Sequence, residues 1–524
     1  MAERARSAGV EAAAVIAASL VAGAAWAWFA GEDANWDWQN YHEYNVWALL
    51  TGRYGTDVVP AGLQTYFNPI IYLPAYLLRH GLGAPWSGVV MGAIQGLNLA
   101  LVYALTRGLL RRSAGIVLLA ASVLLAASGA MMVSEIGTSM ADVLTSLAVV
   151  AGVIFLIKDD QARGLDVIVA GLLIGAAVGL KLTNVVFAIA AGAALLLSVR
   201  PLMSLCCLAV GGAIGVAITS GAWSLMLWRE LGNPIFPLFN AVFHSPELAD
   251  TNILDLTFIP HSFWDGAAYP FYWLMGSTRT AEVGMRDARF AVLLLLIPIC
   301  IVARIARRAA IFRRQDWQLF AFFAAAYVTW LIVFSIQRYV VALDLLCGPI
   351  IAVVAARLLP SAATSTSTER SRPAGIAAIM VALAIALWSQ PADWWRRPWS
   401  APYTPAPLAA ALQQPATYLL LEKPVAYVAP RFPAASRFYQ LADIGVPIIA
   451  GGVFDRRIRA GLAAPLPGGV WALHVKGHAL RTDLLDRYGL AVEASQPCVE
   501  IDSVIKDPLE ACRLSATDNR NSNS

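Results

Sequence analysis

Eleven apolar runs constrain the fold of this chain more than any other feature of the sequence. They occupy residues 11–30, 86–106, 113–130, 140–157, 164–180, 183–199, 202–226, 289–306, 316–335, 340–357 and 373–390. A helix that crosses the hydrocarbon core needs about 20 mostly apolar residues, and a lipid-exposed backbone has to satisfy its own hydrogen bonds. With 58% hydrophobic and only 14% charged residues, the sequence predicts an all-α polytopic membrane domain and excludes an ordinary soluble protein of this size.

Basic residues at the ends of these runs predict the orientation, because Lys and Arg near a span are retained in the cytoplasm. The markers are Arg111, Arg112, Lys158, Arg163, Arg200 and the string RIARRAAIFRR at 304–314. All of them lie on one side if the first run is a retained helix that enters from a cytoplasmic N-terminus. The loops 31–85 and 229–288 are then external, and the Ser/Thr-rich linker 360–373 is a flexible cytoplasmic connector.

Residues 391–524 have the composition of a soluble domain, which we predict to be a small extracytoplasmic α/β domain following a membrane domain at 1–390. Its β-like runs are PVAYVA at 424–429, VPIIAGG at 446–452 and VWALHVKG at 470–477, and RTDLLDRYG is helical in pattern. Cys498 and Cys512, 14 positions apart, are a disulfide candidate if this region is exported.

The first external loop contains the string NWDWQNYHEYNVWALL, which combines acids, amides, a histidine and large aromatic side chains. We predict an interfacial helix over 38–50. Asp37 is then either a functional carboxylate or the N-cap of that helix. In α-helical spacing His42 points away from the face of Asp37, so the two act together only if the segment is irregular. The aromatic residues suit either a binding cleft or an interface belt.

Further polar residues fall at the external ends of the later spans. They are Glu135, Asp142, Lys181, Asn184, Arg286, Asp287, Arg289 and Arg338. Charges at this depth are costly unless they pair or serve a function. Lys181 either snorkels to lipid headgroups or contacts a substrate, and the arginines either pair with Asp287 and Asp344 or bind an anion. A carboxylate bordered by cations suits transfer of a group from a lipid phosphate to a hydroxyl.

The chain resembles the GT-C superfamily of polytopic glycosyltransferases. The resemblance rests on WDWQNYHEYN, GLQTYFNP, SEIGTSMADVLT, GLKLT, GNPIFPLFN and RDARF in this order. It implies an inverting enzyme of the bacterial inner membrane that moves a hexosyl or pentosyl group from a polyprenyl-phosphate donor. The acceptor is a hydroxyl of a glycan, lipid or protein on the external face, and no nucleic-acid partner is expected.

The resemblance also implies roles for particular residues. Asp37, or alternatively Asp33, is the catalytic base, and His42 is a further catalytic candidate. The donor phosphate is bound by Lys181, Arg338, Arg286 and Arg289. Substrate is oriented or contacted by His42, Asn40, Tyr41, Tyr44, Trp36, Trp38, Glu135 and Asp142. A DD, DE or DxD pair is absent at Asp37, which leaves a divalent metal open without requiring one. The competing class is a transporter or flippase of a lipid-linked sugar, although the matching halves of repeat-built transporters are not detected.

Overall fold

The structure is a computed structural model that describes residues 2–110, 115–158, 164–253, 255–308, 312–358, 371–399, 406–442, 448–503 and 508–517. The orientation markers Arg111, Arg112 and Arg163 lie outside these residues, as does most of the linker 360–373.

The helices are α1 (Ala2–Ala30), α2 (Glu43–Thr51), α3 (Leu73–Leu82), α4 (Trp86–Leu110), α5 (Ile116–Ala127), α6 (Ala130–Glu135), α7 (Asp142–Leu156), α8 (Gly164–Leu180), α9 (Val185–Leu195), α10 (Pro201–Leu231), α11 (Asn240–Phe243), α12 (Phe263–Met275), α13 (Arg289–Ala306), α14 (Arg314–Val333), α15 (Val341–Leu358), α16 (Ser371–Trp388), α17 (Val453–Ala463) and α18 (Thr482–Asp486). The strands are β1 (Glu32–Asp33), β2 (Arg396–Arg397), β3 (Thr417–Leu420), β4 (Arg437–Gln440), β5 (Val470–Val475), β6 (Leu490–Val492), β7 (Val499–Ile501) and β8 (Leu509–Ala516).

Two compact units divide the chain. The helical unit comprises Met1–Gly31, Trp86–Gly221 and Asp255–Trp394, and the sheet unit comprises Glu32–Pro85, Ala222–Leu254 and Trp395–Ser524. Within the described residues, α1, α4, α10, α13, α14 and α15 are long and apolar enough to cross a membrane, and α5, α7, α8, α9 and α16 are shorter apolar helices. These eleven helices correspond one for one to the eleven predicted spans, so the predicted polytopic fold is confirmed.

The helical unit is organised around α15, whose side chains are buried continuously from Val341 to Val354. Such a helix is apolar around most of its surface because protein surrounds it, and the charged residue in this stretch, Asp344, pairs with Arg289. By contrast, α1 packs on α4 through small residues: a Cβ added to Gly96 would lie 2.3 Å from the Ser19 carbonyl oxygen. Glycines of this kind allow two membrane helices to approach closely.

The sheet unit contains a six-stranded mixed sheet in the order β4-β3-β5-β8-β6, with β7 also pairing β8. Strands β3, β4 and β5 are parallel, and β8 runs antiparallel to β5, β6 and β7. The first loop extends this sheet, since Val58 donates to the Phe438 carbonyl and accepts from the Gln440 N–H, each at 3.0 Å. Cys498 and Cys512 form a disulfide that ties the segment before β7 to β8.

Local structure in the C-terminal segment departs from the sequence prediction in one run. Residues 424–429 were expected to be β-like, but Ala426–Arg431 forms a 3-10 turn. Pro424 and Pro430 bracket this run, and proline cannot donate to a sheet ladder. Of the run 446–452, residues 446 and 447 lie outside the described part, and 448–452 contains no strand. The strand predicted at 470–477 and the helix predicted in RTDLLDRYG are confirmed as β5 and α18.

Candidate active site

The start of the first loop is built by short-range hydrogen bonds in the sheet unit. Asp33 Oδ1 accepts from the backbone N–H of Asn35 at 3.1 Å and from its side-chain amide at 2.6 Å. Asn35 Oδ1 in turn accepts from the Trp38 N–H at 2.7 Å. Arg79 Nη2 lies 3.9 Å from Asp33 Oδ2. These contacts fix the position of the Asp33 carboxylate at the start of the first loop.

Asp37 does not cap the helix that follows it. Its backbone is already helical, its side chain makes no capping hydrogen bond, and Asn35 performs that role instead. The Asp37 side chain is buried, with 7% of its surface exposed. The interpretation of Asp37 as an N-cap is therefore wrong.

The segment Trp38–His42 is a π-helix, not the first turn of a continuous α-helix over 38–50. The Glu43 N–H donates to the Trp38 carbonyl, five residues back, and α2 begins at Glu43. In a π-helix the backbone hydrogen bonds join residues five apart, and such turns are frequent at functional sites. The α-helical spacing that separated His42 from Asp37 does not apply here.

The polar side chains of this π-helix are buried in the sheet unit. Asn40 Nδ2 donates to Gln64 Oε1 at 2.5 Å, whereas its Oδ1 has no hydrogen-bond partner among the described residues. The His42 ring stacks on Tyr72 with 3.9 Å between centroids, and Tyr41 meets Tyr72 edge-on. Packing against Tyr41 and Tyr72 restricts the rotamer of His42.

Two aromatic residues expected to stack on sugar are occupied by protein contacts. Tyr44 is fully buried, and its hydroxyl donates to Asp57 Oδ2 at 2.7 Å. The Arg79 guanidinium lies 3.8 Å from the centre of the Trp38 ring. Trp36 is only half-buried, with Lys423 Nζ 5.8 Å from its ring. We therefore retain Trp36 and omit Tyr44 and Trp38 as stacking residues.

A second constellation, in the helical unit, contains two cations close to one aromatic ring. Lys181 Nζ lies 4.8 Å and Arg338 Cζ 5.3 Å from the centre of the Tyr339 ring. Lys181 donates to both carboxylate oxygens of Asp142 at 2.6 Å. Arg338 pairs with Glu282, with Nε 2.8 Å from Oε2. We call Glu135, Asp142, Lys181, Glu282 and Arg338 the charged cluster.

Helix ends position the members of this cluster. Glu135 ends α6, Asp142 begins α7, and Lys181 follows α8 in an extended conformation. Arg338 lies in the 3-10 turn Gln337–Val340 just before α15. The sequence placed these four residues at external helix ends, and the structure brings them together.

Sequence analysis missed three participants in this constellation: Glu282, Tyr339 and Trp394. The Trp394 indole N–H donates to Ser134 Oγ at 3.2 Å, and Arg338 Cζ lies 5.7 Å from its ring. Of these three residues, only Glu282 had a sequence signal for a role in this cluster, because it is an acid in a loop predicted to be external.

Glu135 is fully buried, and neither of its carboxylate oxygens has a hydrogen-bond partner among the described residues. It lies in the short helix α6, outside the spanning helices α5 and α7. Burial, followed by the negative charge of Asp142, raises the pKa of Glu135 well above its ordinary value, against the opposing effect of Lys181 and Arg338.

The other two arginines assigned to donor phosphate have different environments. All five N–H groups of Arg289 are used: Nε and Nη2 donate to Asp287, Nη2 to Asp344, and Nη1 to the carbonyls of Leu125 and Asp344. No donor is left for a phosphate, so we do not retain Arg289 as a ligand. The Arg286 backbone pairs with Gln390, and its guanidinium lies 5.5 Å from the Trp388 ring.

One group of metal-ligating side chains within 4.8 Å of one another occurs among the described residues: His474, Glu510 and Cys512 in the sheet unit. Cys512 is bonded to Cys498 in the disulfide and has no thiolate to offer. This group is remote in sequence from the residues assigned to chemistry.

Comparison with known proteins agrees with this architecture. The profile of glycosyltransferase family 87 matches residues 66–335, just over half of the chain. Among solved structures, the crystal structure of ArnT from Cupriavidus metallidurans bound to undecaprenyl phosphate is similar, with a TM-score of 0.55 and 13% sequence identity. The match covers 96% of this chain and 97% of ArnT. No curated protein sequence matches this chain significantly.

Proposed function

Because the chain belongs to glycosyltransferase family 87, we propose that it transfers a sugar from a polyprenyl-phosphate donor to an acceptor hydroxyl. Transfer takes place on the extracytoplasmic face of the bacterial inner membrane, with the N-terminus in the cytoplasm and residues 391–524 outside. The similar protein ArnT was crystallised with undecaprenyl phosphate, which supports a donor of this lipid class. The transferred group is a hexose or a pentose.

The observation that carries the proposal is the pair of cations around Tyr339. Lys181 and Arg338 lie within about 5 Å of one ring and come from helix ends far apart in sequence. Two cations concentrated at helix ends suit a phosphate held at the bilayer edge. During transfer the bond between the anomeric carbon and the phosphate oxygen breaks, and the electron pair stays on that oxygen. Lys181 and Arg338 stabilise this developing charge.

Asp37 is the proposed base. It takes the proton of the acceptor hydroxyl while that oxygen attacks the anomeric carbon from the opposite face, which inverts the configuration. Asp33 is the weaker candidate because its Oδ1 accepts two hydrogen bonds from Asn35. His42, Asn40 and Tyr41 are proposed to orient the substrate, with Trp36 as the accessible aromatic surface.

The test is sugar transfer by purified protein in lipid nanodiscs. The substrates are synthetic polyprenyl-phosphate sugars labelled in the sugar, with a panel of glycan and lipid acceptors. Release of free polyprenyl phosphate that matches label in the acceptor supports the proposal. Movement of intact donor across the bilayer without cleavage would instead establish the transporter alternative, and Asp37→Asn at the parental rate would remove Asp37 as the base.

A further inference from the structure

Glu135 is an enclosed carboxyl group for which the described protein supplies no hydrogen bond. It ends α6, has no exposed surface, and neither carboxylate oxygen has a partner. Leaving an ionised carboxylate buried without hydrogen bonds costs several kcal/mol. A carboxyl group in this state is either protonated and neutral or hydrogen-bonded to a ligand when one is bound.

Burial favours the neutral form of Glu135, and the charges around it do not reverse that preference. The groups that act on it are Asp142 at the start of α7, Lys181 after α8, Arg338 before α15 and Glu282 in the loop before α13. Lys181 is matched by Asp142 and Arg338 by Glu282. The two cations of the cluster are therefore already balanced by two acids, and ionised Glu135 would add a third negative charge.

A neutral carboxyl group has one O–H donor, and this donor needs an acceptor. Because neutral Glu135 adds no negative charge to the cluster, an anionic oxygen in the acceptor position is the only negative charge that Lys181 and Arg338 meet beyond Asp142 and Glu282 of the described residues. Phosphate oxygens meet this requirement, and hydrogen bonds to charged oxygens are short and strong.

We propose that Glu135 is held as a neutral acid and donates a hydrogen bond to the phosphate of the lipid donor, alongside Lys181 and Arg338. This inference rests on the proposed function and adds a ligand to the same site. The proton remains on Glu135, so no covalent bond is made or broken by this contact. Donor binding is then linked to pH, because ionised Glu135 repels the phosphate.

The linkage is tested by measuring the affinity of the full-length protein in nanodiscs for a prenyl methyl phosphodiester across pH. The diester is used because a phosphomonoester has a second pKa of about 6 and changes its own charge in this pH range. A diester keeps a single negative charge, so a change of its affinity with pH reports the titration of a protein group. Wild-type affinity is expected to be constant at low pH and to fall about tenfold or more as Glu135 ionises. Prenyl alcohol serves as the uncharged control.

Two variants of similar size distinguish the hydrogen-bond donor of residue 135 from its ability to carry a negative charge. Glu135→Gln keeps an N–H donor and cannot ionise, so it is expected to bind close to the wild-type low-pH level at every pH. Glu135→Leu has no donor and is expected to bind about tenfold to a hundredfold more weakly at low pH. Asp142→Asn removes a negative charge that disfavours ionised Glu135 and is expected to move the fall in affinity to lower pH.

Several outcomes would overturn the inference in a protein whose thermal unfolding is unchanged. They are Glu135→Gln retaining the wild-type pH dependence, Glu135→Leu binding as tightly as wild type, and wild type not binding the phosphodiester. Inorganic phosphate binding as tightly as the diester would overturn the assignment to a lipid. If the binding results are as expected but no sugar is transferred from any donor, the proposed function fails while the phosphate site stands.

Discussion

Replacing Lys181 separates two roles of its ammonium group, pairing with Asp142 and binding the donor. Lys181 Nζ lies 2.6 Å from both oxygens of Asp142, and the two side chains are 16% and 4% exposed. Lys181→Met leaves Asp142 as a buried, unpaired charge. Breaking such a pair costs about 3–5 kcal/mol, and the residual exposure of Lys181 places the expected loss near 3 kcal/mol, at the lower end of that range.

The double variant Lys181→Met with Asp142→Leu removes both charges. Replacing a buried ion pair by apolar residues of similar volume is often neutral, so stability is expected to return to within about 1 kcal/mol of the parent. Transfer is not expected to recover, because the donor phosphate has lost a cation. The loss of one group that stabilises developing charge lowers the rate by about 10²–10³-fold.

The assay combines thermal unfolding with initial rates of sugar transfer. It compares the parent, the single variants Lys181→Met and Asp142→Leu, and the double variant. Asp142→Asn is the matched control, since it retains Lys181 and reports what Asp142 contributes alone. If the double variant recovers both stability and the parental kcat/KM, Lys181 serves only to neutralise Asp142 and the assignment to phosphate is refuted.

Four further predictions concern the sheet unit. Asp37→Asn is expected to lower kcat by about 10²–10⁴-fold with unchanged donor affinity; a loss of affinity with normal kcat would contradict the role as base. Glu247 accepts from the N–H groups of Val453 and Phe454 at the start of α17, so Glu247→Gln should destabilise that helix by about 1–2 kcal/mol, and unchanged hydrogen exchange in α17 would refute this. Cys498→Ser opens a 14-residue loop and should lower the unfolding free energy by about 3 kcal/mol; equal unfolding midpoints for the oxidised parent and the variant would contradict it. Burial alone would raise the pKa of Asp455, but hydrogen bonds from the Gly451 N–H, Arg459 and Tyr488 hold this pKa below its ordinary value. The stability that ionised Asp455 contributes is therefore present above about pH 4 and is lost as the pH falls toward the folded pKa. Asp455→Asn should reduce this loss of unfolding free energy at acidic pH, as measured by unfolding across pH.

Much of the membrane architecture was predictable from sequence. The eleven apolar helices and the GT-C resemblance are confirmed by the structure, the family 87 match and the similarity to ArnT. These predictions succeed because span length and hydropathy are properties of a local stretch of chain. Six of the eight strands in the described residues have four or fewer residues, and short strands carry a weaker local signal than long apolar helices. Sequence periodicity therefore missed most of the sheet.

The chemistry of individual residues was less predictable. The sequence placed Arg289 among the phosphate ligands, but Asp287 two residues earlier and Asp344 from α15 take its donors. It assumed α-helical spacing after Asp37, whereas Asn35 caps a π-helix there. Neither outcome has a local sequence signature, because each depends on which hydrogen-bond partners the folded chain supplies.

The sequence by itself determined that this protein is a polytopic membrane protein with charges gathered at one set of helix ends. Bilayer thickness and the cost of burying charge impose those features on the sequence itself. Only the tertiary structure decided that Lys181 and Arg338 both lie close to the Tyr339 ring, and that Glu135 is enclosed without a hydrogen-bond partner among the described residues. These residues are separated by up to 204 positions, from Glu135 to Tyr339, and helix packing sets the distances between them.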